Sequence, residues 1–291
     1  MSISLELLQV ARLAPQMLGE SAELVQKFVR DRRSDDGGFQ DRDGNSDLYY
    51  TVFGIDSYLA LQMEPDRDVL LGFAGSAPRP GELDFVHLSC LATILGAARA
   101  DSEIVDPVLA DLEKFRAADG GYSQKLGAPE SSTYGCFVAY RAYSDNGRQP
   151  PKVDALAACV AGLRLDEGGW ANERSMPIPN VPSTAAGVTL SRNLQLPVAD
   201  STGEYFLSSA HRDGGFLAFP GAPMPDLLST AVALHALDGL QVDFSPHKES
   251  CLDFVDSLWN AEGGFHGNWT DDFLDLEYTY YGLLALGHLF L

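Results

Sequence analysis

Two kinds of apolar segment alternate along the chain. Amphipathic segments, with apolar side chains on one helical face, are followed by segments that are apolar almost all round, such as residues 227–237. A helix that is apolar on every side belongs inside a protein, and an amphipathic helix belongs at its surface. No segment alternates apolar and polar residues with the period of two that indicates a strand. The pattern therefore predicts an all-α chain with inner and outer helices.

A Gly-Gly-aromatic turn separates the two kinds of segment in five places. Its first glycines are spaced 83, 48, 46 and 49 residues apart, at Gly37, Gly120, Gly168, Gly214 and Gly263. The long spacing leaves room for a sixth unit with a degenerate turn around residues 78–81. Units with a period of about fifty residues bury their apolar faces against their neighbours. Six helical hairpins close most simply into a double-layered α/α toroid, which we expect to be a single domain over residues 1–291.

The charge balance excludes one class of partner. The chain has 20 Lys and Arg against 41 Asp and Glu, a net charge of −21, which repels nucleic acid and anionic membrane surfaces. The first seventeen residues lack the basic region of a signal peptide, and no apolar run approaches the ~18 residues needed to cross a bilayer. We therefore expect no nucleic-acid partner, no membrane span and a cytoplasmic location.

Polar residues recur at fixed positions before each predicted inner helix. A threonine follows the first glycine by 13 to 16 residues in each unit with an intact turn, at Thr51, Thr133, Thr184, Thr230 and Thr279. Asp47, Asp226 and Asp275 stand four residues before three of these threonines. Such an aspartate can cap the helix N-terminus. Since inner-helix starts crowd around one mouth of a toroid, the same carboxylates can also converge on a site, and both interpretations stay open here.

The repeat of Gly-Gly-Phe, a polar loop and Asp-x-x-[aromatic or His]-Thr resembles that of protein prenyltransferase β-subunits, which also occurs in terpene cyclases. The resemblance spans nearly the whole chain and is strongest at residues 37–54 and 263–282. It implies an α/α toroid with an apolar central cavity for an isoprenoid-type ligand. Because prenyltransferase β-subunits work beside a helical subunit, it also implies a helical partner subunit or a small hydrophobic ligand as the partner.

The resemblance implies a zinc site that this sequence only partly matches. The family holds zinc with an Asp and a Cys two residues apart and a His from the next inner helix. Asp226 matches the Asp, but Leu228 and Tyr278 stand at the other two positions, and leucine offers no ligand atom. Zinc therefore stays open as a cofactor only with an incomplete ligand set, and Asp226 is its one candidate ligand.

This sequence also lacks the residues that the two related enzyme classes use to bind a diphosphate or to protonate an alkene. The loop before Asp226, residues 217–225, has no Arg or Lys to bind a diphosphate. The Asp-x-Asp-Asp acid of the class II terpene cyclases fits neither residues 41–44 nor residues 271–275. A cyclase would need a differently built acid, for instance a buried carboxyl group with a raised pKa.

Other side chains near the inner-helix starts are candidate site residues. Asp84 and His87 are three apart and share one helical face. Together with Asp47, Asp226, Asp275 and Glu277 they can form an acidic ring suited to a divalent metal or to glycoside chemistry. The catalytic candidates are Asp226, Asp275, Asp47, Asp84 and His87. Aromatic residues nearby either line a ligand cavity or fill the core, and the ligand-binding candidates are Tyr50, Phe85, Tyr134, Tyr278 and Tyr281.

Three functions remain open on this sequence. The first is a divergent prenyltransferase-like or cyclase-like protein with a cavity for an isoprenoid-type ligand. The second is a catalytically silent toroid that binds a lipid or a protein partner. The third is a carbohydrate-active α/α-toroid enzyme. An apolar cavity with an acid or a cation at its mouth favours the first, whereas a groove with paired carboxylates favours the third.

Overall fold

A computed structural model describes residues 2–291. Within them the chain forms fourteen α-helices: α1 (Ile3–Ala11), α2 (Ala14–Leu18), α3 (Ala22–Asp31), α4 (Leu48–Ala60), α5 (Arg67–Ser76), α6 (Phe85–Ala97), α7 (Ser102–Leu112), α8 (Thr133–Asp145), α9 (Val153–Ala161), α10 (Val181–Asn193), α11 (Ser201–Ser208), α12 (Leu227–Gly239), α13 (Lys248–Ser257) and α14 (Leu276–Phe290).

Six of these helices form a closed inner ring. Each inner helix packs against the next in the order α4, α6, α8, α10, α12 and α14, and α14 packs against α4. An outer helix, one of α3, α5, α7, α9, α11 and α13, precedes each inner helix along the chain. The inner α12 is buried around its whole circumference, while the outer α13 buries only Cys251, Phe254 and Val255. The predicted α/α toroid of six helical hairpins is confirmed.

The Gly-Gly-aromatic turn has the same geometry in all five places. Its first glycine always has a positive φ, between 93° and 100°, which a residue with a Cβ adopts only at a cost. Its aromatic side chain is always buried, and its backbone always bridges to the residue six positions earlier. The degenerate sixth turn lies between α5 and α6, where a short 3₁₀ helix spans Pro80–Glu82.

Two short hairpins accompany the helices. Strand β1 (Phe39–Gln40) pairs antiparallel with β2 (Ser46–Asp47), and β3 (Ala171–Glu173) pairs antiparallel with β4 (Met176–Pro179). These strands leave no period-two pattern in the sequence, and the chain is all-α as predicted. A strand of two to four residues is too short to show alternation in the sequence, and both hairpins lie in loops that lead into inner helices.

Helix α1 covers one end of the ring. It packs against α4, α8 and α14, and its side chains reach the C-terminal ends of the inner helices. The Ser4 hydroxyl donates to Asp145 at the end of α8, while Glu6 accepts from Arg192 and Asn193 at the end of α10. The opposite end, where the inner helices begin, is therefore the mouth of the toroid.

All four cysteines, Cys90, Cys136, Cys159 and Cys251, are buried free thiols, as the apolar sequence around them predicts. Between residues 2 and 291, every helix is too short or too polar to cross a bilayer.

Candidate functional site

Every inner helix begins at the mouth with a side-chain N-cap. In each case an oxygen of the capping side chain accepts a hydrogen bond from the backbone N–H three residues later, and the caps are Asp47, Asp84, Ser132, Asn180, Asp226 and Asp275. This bond satisfies one of the N–H groups that a helix start leaves free. The N-cap interpretation of the registered aspartates is thus confirmed, while a catalytic role for them stays a prediction.

In three of the five units the registered threonine joins the turn to its inner helix. In unit five, Thr230 Oγ1 donates to the Asp226 carbonyl at 2.7 Å and accepts from the Phe216 backbone N–H at 2.9 Å. Thr51 and Thr184 make the same pair of bonds in their own units. The threonine spacing therefore reflects folding, because one hydroxyl satisfies two buried backbone groups.

The structure brings three predicted site residues together on one side of the mouth. His87 Nδ1 lies 2.8 Å from Asp84 Oδ2, and its Nε2 lies 3.3 Å from Asp47 Oδ2. The imidazole thus bridges the capping carboxylates of α6 and α4, which are neighbours in the ring. The predicted sharing of one helical face by Asp84 and His87 is confirmed.

Asp275 is tied to the one basic residue in the loop between β1 and β2. Arg42 Nε donates to Asp275 Oδ2 at 2.8 Å, and Arg42 also lies 3.5 Å from Asp271. Its guanidinium packs over the rings of Phe273 and Tyr278. Arg42 already pairs with two carboxylates. A diphosphate bound beside it would be repelled by their negative charges.

Asp226 does not have the surroundings of a zinc ligand. Its Oδ1 accepts from the Ser229 backbone N–H and its Oδ2 accepts from the Ser229 hydroxyl, at 2.7 and 2.8 Å. Burial raises the pKa of its carboxyl group, and Leu228 lines the central cavity where the family has a cysteine. Across residues 2–291, no three His, Cys, Asp or Glu side chains are arranged to hold a metal ion. These residues do not fit the zinc site of the family.

A cavity of about 140 Å³ lies inside the ring below the mouth. Its walls come from α4, α6, α8, α12 and α14, and they are mainly aromatic and aliphatic: Tyr49, Val52, Phe53, Val86, Ser89, Cys90, Thr93, Tyr134, Phe137, Val138, Arg141, Leu228, Glu277 and Tyr281. An engineered apolar cavity of about 150 Å³ binds benzene, so a space of this size accepts one ring or one isoprene unit.

The predicted aromatic ligand-binding residues divide into two groups. Tyr134 and Tyr281 line the cavity. Tyr50 packs edge-on against Tyr49 at the start of α4, and Tyr278 lies beside Arg42 at the mouth. Phe85 is fully buried and packs on Phe115, between the inner and outer layers.

Glu277 is the carboxylic acid that lines the cavity. The Tyr49 hydroxyl donates to Glu277 Oε1 at 2.8 Å. Burial raises the pKa of Glu277 to about 7, although the hydrogen bond from Tyr49 opposes this shift. Burial and the nearby Tyr281 and Glu277 also raise the pKa of Tyr49, so the phenol keeps its proton. The sequence placed Glu277 in the acidic ring but gave no sign that it differs from its neighbours.

Arg141 lies at the inner end of the cavity and was not identified from the sequence. It is the one basic residue of α8, and its guanidinium pairs with Asp56 of α4. A single arginine within an otherwise apolar inner helix was the available signal, because a charge in such a position needs a buried partner.

Large apolar side chains surround the mouth on its outer side. They belong to the loops that lead into α8, α10, α12 and α14, and at least 45% of each is exposed: Leu126, Met176, Ile178, Phe219, Trp269 and Phe273. These side chains are available for contact with a ligand that protrudes from the mouth.

The comparisons with known proteins agree with this architecture. The family model described as the prenyltransferase alpha-alpha toroid domain matches residues 7–110 and 183–289, which is more than half of the chain. No curated protein matches the sequence.

Solved structures share the fold at low sequence identity. The type II terpene cyclase MstE from Scytonema is 13% identical, with a TM-score of 0.63 over 94% of this chain and 97% of that one. The GH76A alpha-1,6-mannanase from Salegentibacter sp. HEL1_6 is 12% identical, with a TM-score of 0.63 over 93% and 98%. A protein from Actinoplanes is 16% identical, with a TM-score of 0.63 over 94% and 99%. Such identities establish the toroid and leave function to the site.

Proposed function

The chain belongs to the prenyltransferase alpha-alpha toroid domain family, and on that premise we propose that its central cavity binds an unsaturated isoprenoid-type ligand, to which Glu277 delivers a proton. The observation that carries the proposal is the position of Glu277, a carboxyl group that lines an aromatic cavity and whose pKa burial raises to about 7. This is the differently built acid that a cyclase-like reaction requires here.

The chemistry of the proposed step is a proton transfer. The O–H bond of Glu277 breaks, a C–H bond forms at one carbon of the ligand double bond, and positive charge develops at the other carbon. Ring faces such as those of Tyr49, Phe53 and Tyr281 attract this charge through their quadrupoles. The Glu277 carboxylate then takes a proton from a neighbouring carbon, which gives an isomerised or cyclised product and restores the acid, so no further reactant is needed.

The size of the cavity determines how the ligand enters. Pockets for whole drug-sized ligands usually measure about 300–1,000 Å³, which exceeds the 140 Å³ found here. We propose that one isoprene unit enters the cavity and that the rest of the ligand lies against the exposed apolar side chains around the mouth. The absence of basic residues from the loop 217–225 favours an uncharged ligand over a diphosphate.

The cavity argues against a carbohydrate-active site. Glycoside hydrolysis uses two carboxyl groups that flank the scissile bond, whereas Glu277 is the one Asp or Glu among the described residues that line this cavity. Asp226 and Asp275, the nearest candidates along the mouth, have their oxygens engaged as N-caps and with Ser229 or Arg42.

A deuterium-uptake assay tests the proposal. The purified chain is incubated with geraniol or farnesol in D₂O, and the recovered hydrocarbon skeleton is examined for carbon-bound deuterium by mass spectrometry. We expect uptake in the wild type and a loss of about 10²- to 10⁴-fold in Glu277→Gln, with ligand binding retained. Glu204→Gln, an exposed change on α11, serves as the matched control.

Two results would contradict the proposal. If neither alcohol binds, the cavity is not an isoprenoid site. If both bind without deuterium uptake, the chain is a ligand-binding toroid without catalysis, which is the second function that the sequence left open.

A further inference from the structure

A charged cluster forms the floor of the central cavity. Arg141 Nη2 donates to Asp56 Oδ2 at 2.6 Å, and Nε donates to the Ser4 hydroxyl at 2.9 Å. The same Nε lies 3.4 Å from Asp145 Oδ2. Helices α8, α4 and α1 therefore meet at one guanidinium, whose side chain is only 14% exposed.

One edge of this guanidinium has no protein partner. Arg141 Nη1 makes no hydrogen bond to any residue from 2 to 291, although its side chain lines the cavity together with Cys90 and Thr93. Arginine carries five N–H donors in a fixed plane. An oxygen placed beside this unpartnered edge gains a charge-assisted hydrogen bond from the guanidinium.

The charges around Arg141 determine whether a neutral or an anionic ligand oxygen binds there. Burial by itself would lower the pKa of Arg141, but the charges of Asp56 and Asp145 outweigh it and raise the pKa, so the guanidinium stays charged. Two carboxyl groups already face this single cation. An added anion would meet their repulsion, whereas a neutral acceptor would not.

We infer that the central cavity selects ligands with a neutral oxygen acceptor, a hydroxyl, carbonyl or ether group, at their buried end, where Arg141 Nη1 binds it. This inference rests on the proposed function, because it takes the cavity as the ligand site. The cavity is therefore polar at both ends, with Glu277 near the mouth and Arg141 at the floor, and aromatic between them. A compact unsaturated alcohol reaches both ends, with its oxygen at Arg141 and its double bond beside the carboxyl group.

Three probes with one carbon skeleton test the inference. They are 3-methylbut-2-en-1-ol, the hydrocarbon 2-methylbut-2-ene and the anion 3-methylbut-2-enoate, titrated into the full chain and followed by NMR. Since a hydrogen bond to a charged group is worth roughly a ten- to hundredfold change in affinity, we expect the alcohol to bind at least about tenfold more tightly than the hydrocarbon. The anion should bind no more tightly than the alcohol.

Two further measurements assign the effect to Arg141. Arg141→Lys keeps the charge but loses the planar fork, so the preference for the alcohol should fall to within about threefold while hydrocarbon binding is unchanged. If that variant does not fold, arginine-selective ¹⁵N spectra of the wild type replace it. There the Arg141 side-chain signals should shift with the alcohol and not with the hydrocarbon.

The outcomes separate this inference from the proposed function. Equal binding of alcohol and hydrocarbon would overturn the inference and leave the cavity as an apolar ligand site. Tightest binding of the anion would overturn it in favour of an anion site. If none of the probes binds, the proposed ligand site fails and the inference fails with it.

Discussion

Two acidic residues at the start of α14 differ in what their surroundings allow them to do. Asp275 is 3% exposed and accepts from the Tyr278 backbone N–H and from Arg42, so both of its oxygens are engaged. Glu277 caps no helix and accepts one bond, from Tyr49. A carboxyl group buried without a cation beside it holds its proton more tightly. Of the two residues, Glu277 is therefore the one suited to act as an acid.

The raised pKa of Glu277 predicts a specific pH dependence of stability. The pKa rises from an ordinary value of 4.5 to about 7 on folding, so the unfolded chain loses this proton at lower pH than the folded chain does. The stability contributed by the neutral carboxyl group is fully present below about pH 4.5 and is lost as the pH rises through about 7. The loss amounts to about 3 kcal/mol.

Urea unfolding of Glu277→Gln between pH 4.5 and pH 8 checks this expectation. In the wild type the free energy of unfolding should fall as the pH rises, and in Glu277→Gln this fall should be absent. The exposed control Glu204→Gln should follow the wild type. Identical pH profiles for Glu277→Gln and the wild type would show that the carboxyl group titrates normally in the folded protein.

The hydroxyl of Thr230 gives a second prediction at this scale. Thr230→Val keeps the shape of the side chain but leaves the buried Phe216 N–H without its acceptor, at an expected cost of about 1–3 kcal/mol in the free energy of unfolding. Thr93→Val is the matched control, because Thr93 is also buried on an inner helix but makes no side-chain hydrogen bond within residues 2–291. Chemical denaturation measures the free energy of unfolding of both variants. Equal losses of this free energy would contradict the role assigned to Thr230.

Among the helices, α1 has a position that no repeat pattern specifies. It precedes the first unit and lies across the C-terminal ends of the inner helices. Glu6 anchors it through Arg192 Nη1 at 2.6 Å and Asn193 Nδ2 at 3.2 Å, and lies 3.5 Å from His235 Nε2. These contacts hold α1 across the end of the toroid opposite the mouth.

Replacing Glu6 should loosen α1 without affecting the ring. Glu6→Gln removes the charge that holds Arg192, at an expected cost of about 1–2 kcal/mol for this partly exposed pair. Amides of α1 should then exchange with deuterium about 5- to 30-fold faster, while inner-helix amides keep their rates. The control Glu23→Gln, on the exposed face of α3, should change neither set of exchange rates. If amide exchange in Glu6→Gln becomes equally faster in α1 and α12, the substitution destabilises the whole fold.

The elements that repeat could be predicted, and those that occur once could not. The glycine spacing and the apolar periodicity gave the inner and outer helices, and the fixed Asp and Thr positions marked the helix starts. By contrast, Arg141 meets Asp56 and Ser4 across 85 and 137 residues of sequence. The pKa of Glu277 likewise depends on burial within a cavity that five helices build together. Such properties arise from spatial neighbours that no local pattern identifies.

At the scale of the whole molecule, the ring closes where the last repeat unit packs against the first. The Gly263 turn packs against the backbone of α3, where a Cβ at Gly263 would lie 2.3 Å from the Leu24 carbonyl oxygen. Arg32 donates to the Leu274 carbonyl, and Tyr49 donates to Glu277 across the α4–α14 contact. The proposed acid therefore lies at the seam that closes the ring, so the integrity of the site depends on closure.

The net charge of −21 predicts how the closed molecule responds to salt. Like charges spread over one surface repel each other and destabilise the compact state. Raising the ionic strength from about 0.01 M to about 0.15 M shortens the Debye length from ~30 Å to ~8 Å. The screened repulsion should raise the Tm by roughly 2–6 °C, which corresponds to about 1–2 kcal/mol for a chain of this size.

Differential scanning calorimetry over this salt range measures the effect. The matched control replaces six exposed acidic residues that make no ion pair by their amides, at Asp35, Glu64, Glu103, Asp166, Glu204 and Asp272. With less repulsion to screen, this variant should start from a higher Tm and gain less from salt than the wild type. A Tm that falls with salt in the wild type would mean that attractive pairs such as Arg42–Asp275 and Arg192–Glu6 outweigh the general repulsion, because screening weakens attraction and repulsion alike.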